Sequence, residues 1–264
     1  MLKVGIHSDL HTEFSACTIT NLPELDVLVL AGDMGDLSSM AHFLGRIRRE
    51  APGLPVLYVL GNHEYYGLEF EKAKQYYRQL CEAYQVTLLD NEVVQIGDVL
   101  FVGSTLWTDF SLAGQADISM QWARKKIPDF RKIHCYSANG SLVAMQPANT
   151  VKEYKKACAF IREALLSENK AVRKKVVVSH FLPAFELLAT AYRQDADALI
   201  QSAYWATDIP HLYQLADVWI YGHSHDCIET TVGATRFLSN QRGYSKVMNQ
   251  VQCEDYQHGY CIEI

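Results

Sequence analysis

Five short polar fragments of the chain carry the kinds of side chain that bind metal ions, and most of them follow a run of apolar residues. In chain order the fragments are Asp9-Leu10-His11, Gly32-Asp33-Met34-Gly35-Asp36, Gly61-Asn62-His63-Glu64, Ser179-His180 and Gly222-His223-Ser224-His225. Carboxylate, amide and imidazole groups together suit Mn²⁺, Fe, Zn²⁺, Co²⁺ or Ni²⁺, whereas an all-oxygen set suits Mg²⁺ or Ca²⁺. The fragments therefore predict a site for transition-metal ions.

The spacing within the first two fragments indicates how such a site is arranged. Asp9 and His11 are separated by one residue, so both side chains can face one ion where a strand turns into a loop. Asp33 has two carboxylate oxygens and can bridge a pair of ions about 3.5–4 Å apart. Such a pair is typical of enzymes that hydrolyse phosphate esters, because it activates a water molecule and neutralises the phosphoryl oxygens.

Each fragment also has a purely structural explanation when it is considered alone. Gly32-Asp33 and Gly61-Asn62 are common turn sequences, and a single histidine such as His180 is more often a hydrogen-bonded structural residue. The occurrence of all five fragments in this order favours the metal site over five unrelated turns. The remaining histidines match no fragment and are predicted to be structural: His7, His42, His134, His211 and His258.

Hydrophobic runs predict the elements that position these fragments. Residues 2–7, 27–31 and 56–60 are continuous apolar runs, as expected for strands buried on both faces. A helical pattern over residues 38–50, capped by Ser38 or Ser39, lies between the second and third runs. A second helical pattern over residues 68–84 follows the third run. Because parallel strands deliver their ends to one crevice of an open α/β sheet, the fragments are expected to meet there.

The second half of the chain repeats this pattern after an irregular insertion. Residues 107–147 are the least regular stretch, with one helix near 116–126, and this insertion is expected to select the substrate. A further helix is predicted over residues 150–167. The further predicted strands are residues 86–89, 93–96, 99–104, 174–179, 218–221, 228–232, 235–239 and 260–264.

Composition limits the classes of protein that the chain can belong to. Of its 264 residues 49% are hydrophobic, which is enough for a sizeable core, and we expect one domain over residues 1–264. A net charge of −6 disfavours a broad surface for polyanions, so long nucleic acids are not the expected partner.

Cysteine usage and the apolar runs predict the compartment. Seven scattered cysteines without a CxxC pair favour a reducing environment over a disulfide framework. The N-terminus shows no secretory signal pattern, and no apolar run approaches the roughly 20 residues that span a bilayer. We therefore expect a soluble, cytoplasmic protein with no membrane span.

The five fragments together carry a family resemblance. The order DxH, GDxxD, GNHE, a single histidine after a strand and GHxH resembles the calcineurin-like metallophosphoesterase superfamily, over the stretch from His7 to His225. The resemblance implies an α/β fold, a four-layer αββα sandwich with two central mixed β-sheets. It also implies a dinuclear metal site at the carboxyl-terminal ends of the strands.

The resemblance implies a role for each matching residue. The ligands implied for the first ion are Asp9, His11, Asp33 and His225. Those implied for the second ion are Asp33, Asn62, His180 and His223. The implied cofactors are two divalent metal ions among Mn, Fe, Zn, Ni and Co, with Mn or Fe favoured.

The catalytic residues implied by the resemblance are His63 and Asp36. His63 would contact the phosphate and protonate the leaving alcohol after attack by a hydroxide that bridges the ions. Asp36 would hydrogen-bond to His63 and orient it. Glu64 is expected only to orient a ligand through a hydrogen bond.

Departures from subfamily patterns narrow the substrate. Serine/threonine protein phosphatases of the superfamily carry arginines where this chain has Leu60 and Leu37, and lipid A precursor hydrolases replace the histidine that is retained here as His63. A small phosphate mono- or diester is therefore the expected substrate. Two alternatives stay open: a nucleotide or cyclic-nucleotide phosphodiesterase, and a catalytically idle metal-binding scaffold. The substrate contacts predicted in or near the insertion are Trp107, Asp109, Arg124 and Arg131.

Overall fold

The computed structural model describes residues 1–244 and 253–264, and its first sheet has five strands. Numbered in chain order, they are β1 (Lys3–His7), β2 (Val27–Ala31), β3 (Val56–Val59), β4 (Thr87–Leu88) and β13 (Cys261–Glu263). Strands β1 to β4 lie side by side and parallel, and β13 runs antiparallel along the free edge of β1. This pairing of β1 with β13 supports one domain over residues 1–264, which stays a prediction.

The second sheet has six strands in the order β11-β12-β10-β9-β6-β5. They are β5 (Glu92–Ile96), β6 (Val99–Ser104), β9 (Lys174–Ser179), β10 (Val218–Ile220), β11 (Thr230–Val232) and β12 (Thr235–Leu238). The four inner strands are parallel, whereas β5 and β11 are antiparallel edge strands. A turn at Gly97-Asp98 joins β5 to β6, where Ile96 pairs with Val99.

Side chains that alternate along β2 show how the two sheets stack. Val27 and Val29 belong to an apolar layer that also contains Phe101 of β6 and Val176 of β9, so this face of β2 meets the second sheet. Leu28 and Leu30, which alternate with these valines, belong to the cluster that contains the helices. Both faces of the strand are thus buried, which explains why its sequence is apolar throughout rather than alternating.

Helices cover the two outer faces and complete the four predicted layers. Helices α1 (Leu37–Glu50) and α2 (Phe70–Ala83) pack on the first sheet, and α5 (Pro147–Leu166) packs on the second. Helix α1 buries four residues at helical spacing: Met40, Phe43, Leu44 and Ile47. The four-layer αββα sandwich with two mixed sheets is therefore confirmed. Among the residues described, no helix combines the length and the apolar character that crossing a membrane requires.

Three helix starts differ from the predicted ones, that of α2 by two residues. Helix α1 begins at Leu37 because Asp36, not Ser38 or Ser39, is the N-cap, and its Oδ1 accepts a hydrogen bond of 2.8 Å from the amide of Ser39. Helix α5 begins at Pro147, three residues before the predicted start. A proline fits there because the first helical position needs no amide donor.

The insertion is more regular than predicted. The expected helix is present as α3 (Ala116–Lys126), and it is followed by a short helix α4 (Asp129–Lys132). A hairpin of β7 (His134–Tyr136) and β8 (Leu142–Ala144) was not predicted, because both strands are three residues long and largely exposed. Short helices α6 (Ala196–Ser202) and α7 (Pro210–Tyr213) follow β9.

A substitution at Gly103 tests how closely the sheets pack. A Cβ atom at this position of β6 would lie 2.3 Å from the Cβ of Leu89, so Gly103→Ala must push the sheets apart. We expect the free energy of unfolding in urea to fall by about 1–3 kcal/mol. Gly53→Ala is the control, since Gly53 is exposed and an added Cβ meets no atom within 4 Å. Equal stability of the two variants would contradict the packing.

Candidate metal centre

All of the predicted metal ligands lie just beyond the carboxyl ends of strands that run parallel to their neighbours. In the first sheet, β1 is followed by Asp9 and His11, β2 by Asp33 and β3 by Asn62. In the second sheet, β9 is followed by His180, and β10 is followed by His223 and His225. A bond across the sandwich joins the two groups, because both carboxylate oxygens of Asp9 lie within 3.1 Å of the amide nitrogen of His223.

Backbone strain is concentrated at these ligands. Five of the seven have positive φ: 52° for Asp9, 45° for His11, 54° for Asp33, 76° for His223 and 55° for His225. Residues other than glycine rarely adopt this left-handed conformation, which costs about 1–3 kcal/mol each and persists where the surrounding structure enforces it. The fold therefore holds these loops in unfavourable conformations that turn the side chains toward one another.

One ligand cluster consists of Asp9, His11 and His225, whose donor atoms all lie within 4.8 Å of one another. The Nε2 atoms of His11 and His225 are 3.2 Å apart. The Nε2 of His225 is 3.4 Å from Oδ1 of Asp9. These three residues are part of the set that the sequence assigns to the first ion.

The second cluster consists of Asp33, His180 and His223, again with donor atoms within 4.8 Å. The Nε2 of His180 lies 3.4 Å from Oδ2 of Asp33 and 3.1 Å from Oδ1 of Asn62. The same Oδ2 of Asp33 is 3.9 Å from Nε2 of His11, which belongs to the first cluster. Asp33 therefore lies between the clusters, as a bridging ligand must.

Hydrogen bonds on the outer side of three predicted ligands direct their inner atoms toward the clusters. The Nδ1 of His180 donates to the carbonyl oxygen of Ala31 at 2.9 Å, which directs Nε2 inward. The Nδ2 of Asn62 donates to Oδ1 of Asp129 at 3.0 Å, so the amide oxygen faces His180. The Nδ1 of His11 pairs with Glu13 at 3.1 Å. Such outer partners fix the tautomer and orientation of metal ligands.

The buried donor atoms fit a pair of cations. The Nε2 of His223 is buried and has no hydrogen-bond partner in the described part of the chain, although buried polar atoms are normally paired. Burial disfavours a charged His180, but the carboxylates of Asp33 and Asp9 outweigh burial and raise its pKa to about 10. The electrostatic field of the site therefore attracts positive charge, and the set of imidazole, carboxylate and amide donors suits transition metals.

Glu64 joins the loops after β2 and β3 and thereby positions the bridging residue. Its carboxylate accepts hydrogen bonds from the amides of Asp33, Met34 and Gly61 and from the hydroxyl of Tyr58, at 2.6–3.1 Å. Burial and the charge of Asp33 raise the pKa of Glu64 to about 7. Glu64 contacts no ligand donor atom through these bonds, so its predicted role as an orienting residue agrees with the geometry.

His63 lies beside both clusters, but its neighbours differ from those predicted. Its backbone amide donates to Oδ1 of Asp33 at 2.9 Å, and its ring is 4.5 Å from that of His11. The Nδ1 atom lies 3.4 Å from Oε1 of Glu13, and Nε2 lies 3.0 Å from the hydroxyl of Tyr244. Asp36 instead caps α1, so the structure does not bring its carboxylate to His63 in the way that the resemblance implies.

The predicted substrate contacts do not gather at the clusters. Trp107 is buried in the core, where its ring packs 5.0 Å from that of Phe181. Asp109 accepts hydrogen bonds from the amide and hydroxyl of Ser111 and thus stabilises its own loop. Arg124 is exposed in the last turn of α3, and Arg131 donates to the carbonyl of Lys125 in the same turn. Trp107 and Asp109 were predicted because they follow a strand, and Arg124 and Arg131 because they belong to a basic cluster, but the contacts of these side chains lie elsewhere.

Four further residues at the site carried no recognisable signal in the sequence: Glu13, Asp129, Gln241 and Tyr244. Asp129 comes from the insertion, and its carboxylate also accepts from the hydroxyls of Tyr66 and Tyr204. The Oε1 atom of Gln241 accepts a hydrogen bond of 2.6 Å from the backbone amide of His225. The ring of Tyr244 stacks on His11 at 4.5 Å. Only Glu13 is close in sequence to a motif, two residues after His11, whereas the others reach the site through tertiary folding.

Loss of Asp129 should weaken metal binding without removing a ligand. In Asp129→Ala the amide of Asn62 loses the partner that orients it, so we expect the affinity for Mn²⁺ to fall by about 10–100-fold in titration calorimetry. Tyr204→Phe is the matched control, because it removes a different bond to Asp129 and leaves that of Asn62 intact. An unchanged affinity in folded Asp129→Ala would show that Asn62 needs no such support.

Comparison with known proteins agrees with this geometry. The chain matches the family Calcineurin-like phosphoesterase over residues 2–227. It is 26% identical over 266 residues to the Uncharacterized protein L509 of Acanthamoeba polyphaga mimivirus, covering 92% of this chain and 91% of that protein.

Two solved structures share the fold. One is the Phosphopantetheinyl Hydrolase (PptH) of Mycobacterium tuberculosis, with a TM-score of 0.63, 20% identity and coverage of 92% of this chain and 89% of that chain. The other is TT1561 of Thermus thermophilus, with a TM-score of 0.52, 13% identity and coverage of 91% and 89%. The family match spans most of the chain, including all of the ligand clusters. The chain therefore belongs to the calcineurin-like phosphoesterase family and is a metal-dependent hydrolase of phosphoric esters.

Proposed function

We propose that the chain hydrolyses a small phosphate mono- or diester, with His63 as phosphate contact and general acid. The observation that carries this proposal is the position of Asp33 between two ligand clusters with His63 directly beside it. The argument depends on the site, because the solved structures share only the fold with this chain.

Seven side chains would hold the two ions in this proposal, and Mn or Fe is favoured. The first ion is assigned to Asp9, His11, Asp33 and His225. The second is assigned to Asp33, Asn62, His180 and His223. When bound, two such cations supply an activated water molecule for attack and offset the charge that builds on the phosphoryl oxygens.

The environment of His63 supports its role as the acid. Burial acts to lower the pKa of its imidazole, but the carboxylates of Asp33 and Glu13 outweigh burial and raise the pKa above the usual value. The charged, proton-bearing form of the imidazole is therefore more favoured than in a free histidine. From Nε2 the proton can pass to the leaving oxygen, a step that is worth about 10²–10⁴-fold in rate.

Aromatic rings beside His63 support a nucleotide or cyclic-nucleotide phosphodiester as the second candidate substrate. Tyr66 lies 4.3 Å from the ring of His63, and Tyr244 stacks on His11 at 4.5 Å. Both tyrosines are partly exposed, so either ring can contact a substrate base or another flat group. Lys132, which lies 4.6 Å over the ring of Tyr66, adds a positive charge at this side of the site.

Removal and restoration of the metal test the proposal. Protein stripped with a chelator should lose hydrolysis of p-nitrophenyl phosphate and regain it with Mn²⁺, whereas Asp33→Asn should stay inactive in both states. His63→Ala should bind two ions and lose about 10²–10⁴-fold in kcat on an ester with a poor leaving group. His42→Ala is the matched control, since His42 is exposed on α1 and bonds only to the carbonyl of Ser38 among the described groups.

The outcomes separate the alternatives. Full activity of metal-free protein, or of Asp33→Asn, would contradict the dinuclear mechanism. Two bound ions without turnover of any ester would favour the metal-binding scaffold.

A substrate panel distinguishes mono- from diesterase activity. We expect kcat/KM to differ between p-nitrophenyl phosphate, a monoester, and bis-p-nitrophenyl phosphate, a diester. The compound with the higher kcat/KM identifies the enzyme as a mono- or a diesterase. The panel should also contain cyclic nucleotides and a phosphopantetheinyl ester, because one structure with this fold is named for hydrolysis of that group. For a cyclic-nucleotide substrate, Tyr66→Leu should raise KM about 5–150-fold, since one base stack is worth about 1–3 kcal/mol. An unchanged KM would exclude stacking on Tyr66.

A further inference from the structure

Glu13 contacts the outer nitrogens of two histidines at the site. Its Oε1 lies 3.1 Å from Nδ1 of His11 and 3.4 Å from Nδ1 of His63. We infer that Glu13 is a positioning residue that fixes the tautomer and orientation of both rings. The inference rests on the proposed function, because it assumes that His11 binds a metal ion and that His63 is the acid.

The carboxylate of Asp36 accepts a hydrogen bond from another residue through one of its oxygens. Asp36, which the family resemblance pairs with His63, accepts the amide of Ser39 through Oδ1 as the N-cap of α1. Within the described ranges, Glu13 is the acid that reaches Nδ1 of His63. The acid–histidine pair is therefore made by a residue of the loop after β1 instead of the loop after β2.

The loop that carries Glu13 is held firmly from two sides. Thr12 donates to the carbonyl of Met34 through its amide at 3.0 Å and through its hydroxyl at 2.7 Å. Arg242, itself buried, donates to the carbonyls of Leu10 and Ser15 at 2.8 and 2.9 Å. The side chain of Glu13 is 14% exposed. Glu13 is thus fixed before a substrate arrives, which is what a positioning residue requires.

The chemistry of the pair follows from the acceptor. A carboxylate can only accept, so each Nδ1 that faces Oε1 must carry the hydrogen. The Nε2 of His11 is then left with its lone pair for a cation, and the Nε2 of His63, which lies 3.0 Å from the hydroxyl of Tyr244, is the nitrogen that can donate to a substrate. The 3.4 Å separation at His63 is long for a hydrogen bond, and such contacts commonly shorten when substrate binds.

Leaving-group dependence tests the inference with Mn²⁺ at saturating concentration. Departure of p-nitrophenolate needs little protonation, whereas departure of phenolate or an alkoxide needs an acid. Glu13→Ala should lower kcat for phenyl phosphate by about 100-fold or more, and kcat for p-nitrophenyl phosphate much less, with KM unchanged. Glu13→Gln keeps an acceptor oxygen and should restore part of the loss. In the His63→Ala background, Glu13→Ala should cause no further selective loss, since the two residues act as one unit.

The possible results separate the two proposals. An equal loss on both esters would show that Glu13 does not act through the acid and would overturn the inference. A selective loss in Asp36→Ser, with Glu13→Ala at the wild-type level, would also overturn it and would restore the pairing implied by the resemblance. If His63→Ala itself shows no leaving-group selectivity, the assigned acid is wrong and the inference fails with it. If the loss is selective in His63→Ala but not in Glu13→Ala, the inferred role of Glu13 is overturned and the proposed role of His63 as the acid stands.

Discussion

The buried carboxylate of Asp33 is the constraint on which the rest of the site depends. Burial acts to raise the pKa of Asp33, but His180 and His63 outweigh burial and hold it well below its usual value. A buried charge of this kind is costly unless other charges and hydrogen-bond donors compensate it. The compensating groups come from the loops after β1, β3 and β9, so the charge of one side chain connects both sheets of the sandwich.

Close approach of the backbone makes this arrangement rigid. A Cβ atom on Gly61 would lie 2.1 Å from Oδ1 of Asp33, and one on Gly222 would lie 2.7 Å from Oδ2 of Asp9. These glycines are therefore required by space and not by a positive φ angle. Together with the positive φ angles of the predicted ligands, they show that the fold itself fixes the positions of these side chains.

A second layer of acidic residues acts outside the ligands, and each member has a distinct partner. Glu64 accepts the amides of Asp33 and Met34, Asp129 accepts the side-chain amide of Asn62, and Glu13 contacts the imidazoles of His11 and His63. Tyrosines accompany this layer at Tyr58 and Tyr204, where each donates its hydroxyl to a buried carboxylate at 2.6 Å. The outer layer explains how a site rich in negative charge stays ordered inside a core.

The amino-acid sequence by itself determined the sheets and the ligand fragments. Continuous apolar runs predicted the parallel strands, and the polar fragments after them predicted which side chains would meet, because strand ends share one edge of a sheet. It did not determine which residues surround those ligands. Ser38 or Ser39 was predicted to cap helix α1, and Asp36 was predicted to orient His63, whereas the folded chain uses Asp36 as the cap. Only the tertiary structure determined the contacts that Glu13, Asp129 and Tyr244 make at the site. These contacts join residues from separate loops, and they depend on distances that no local sequence pattern encodes.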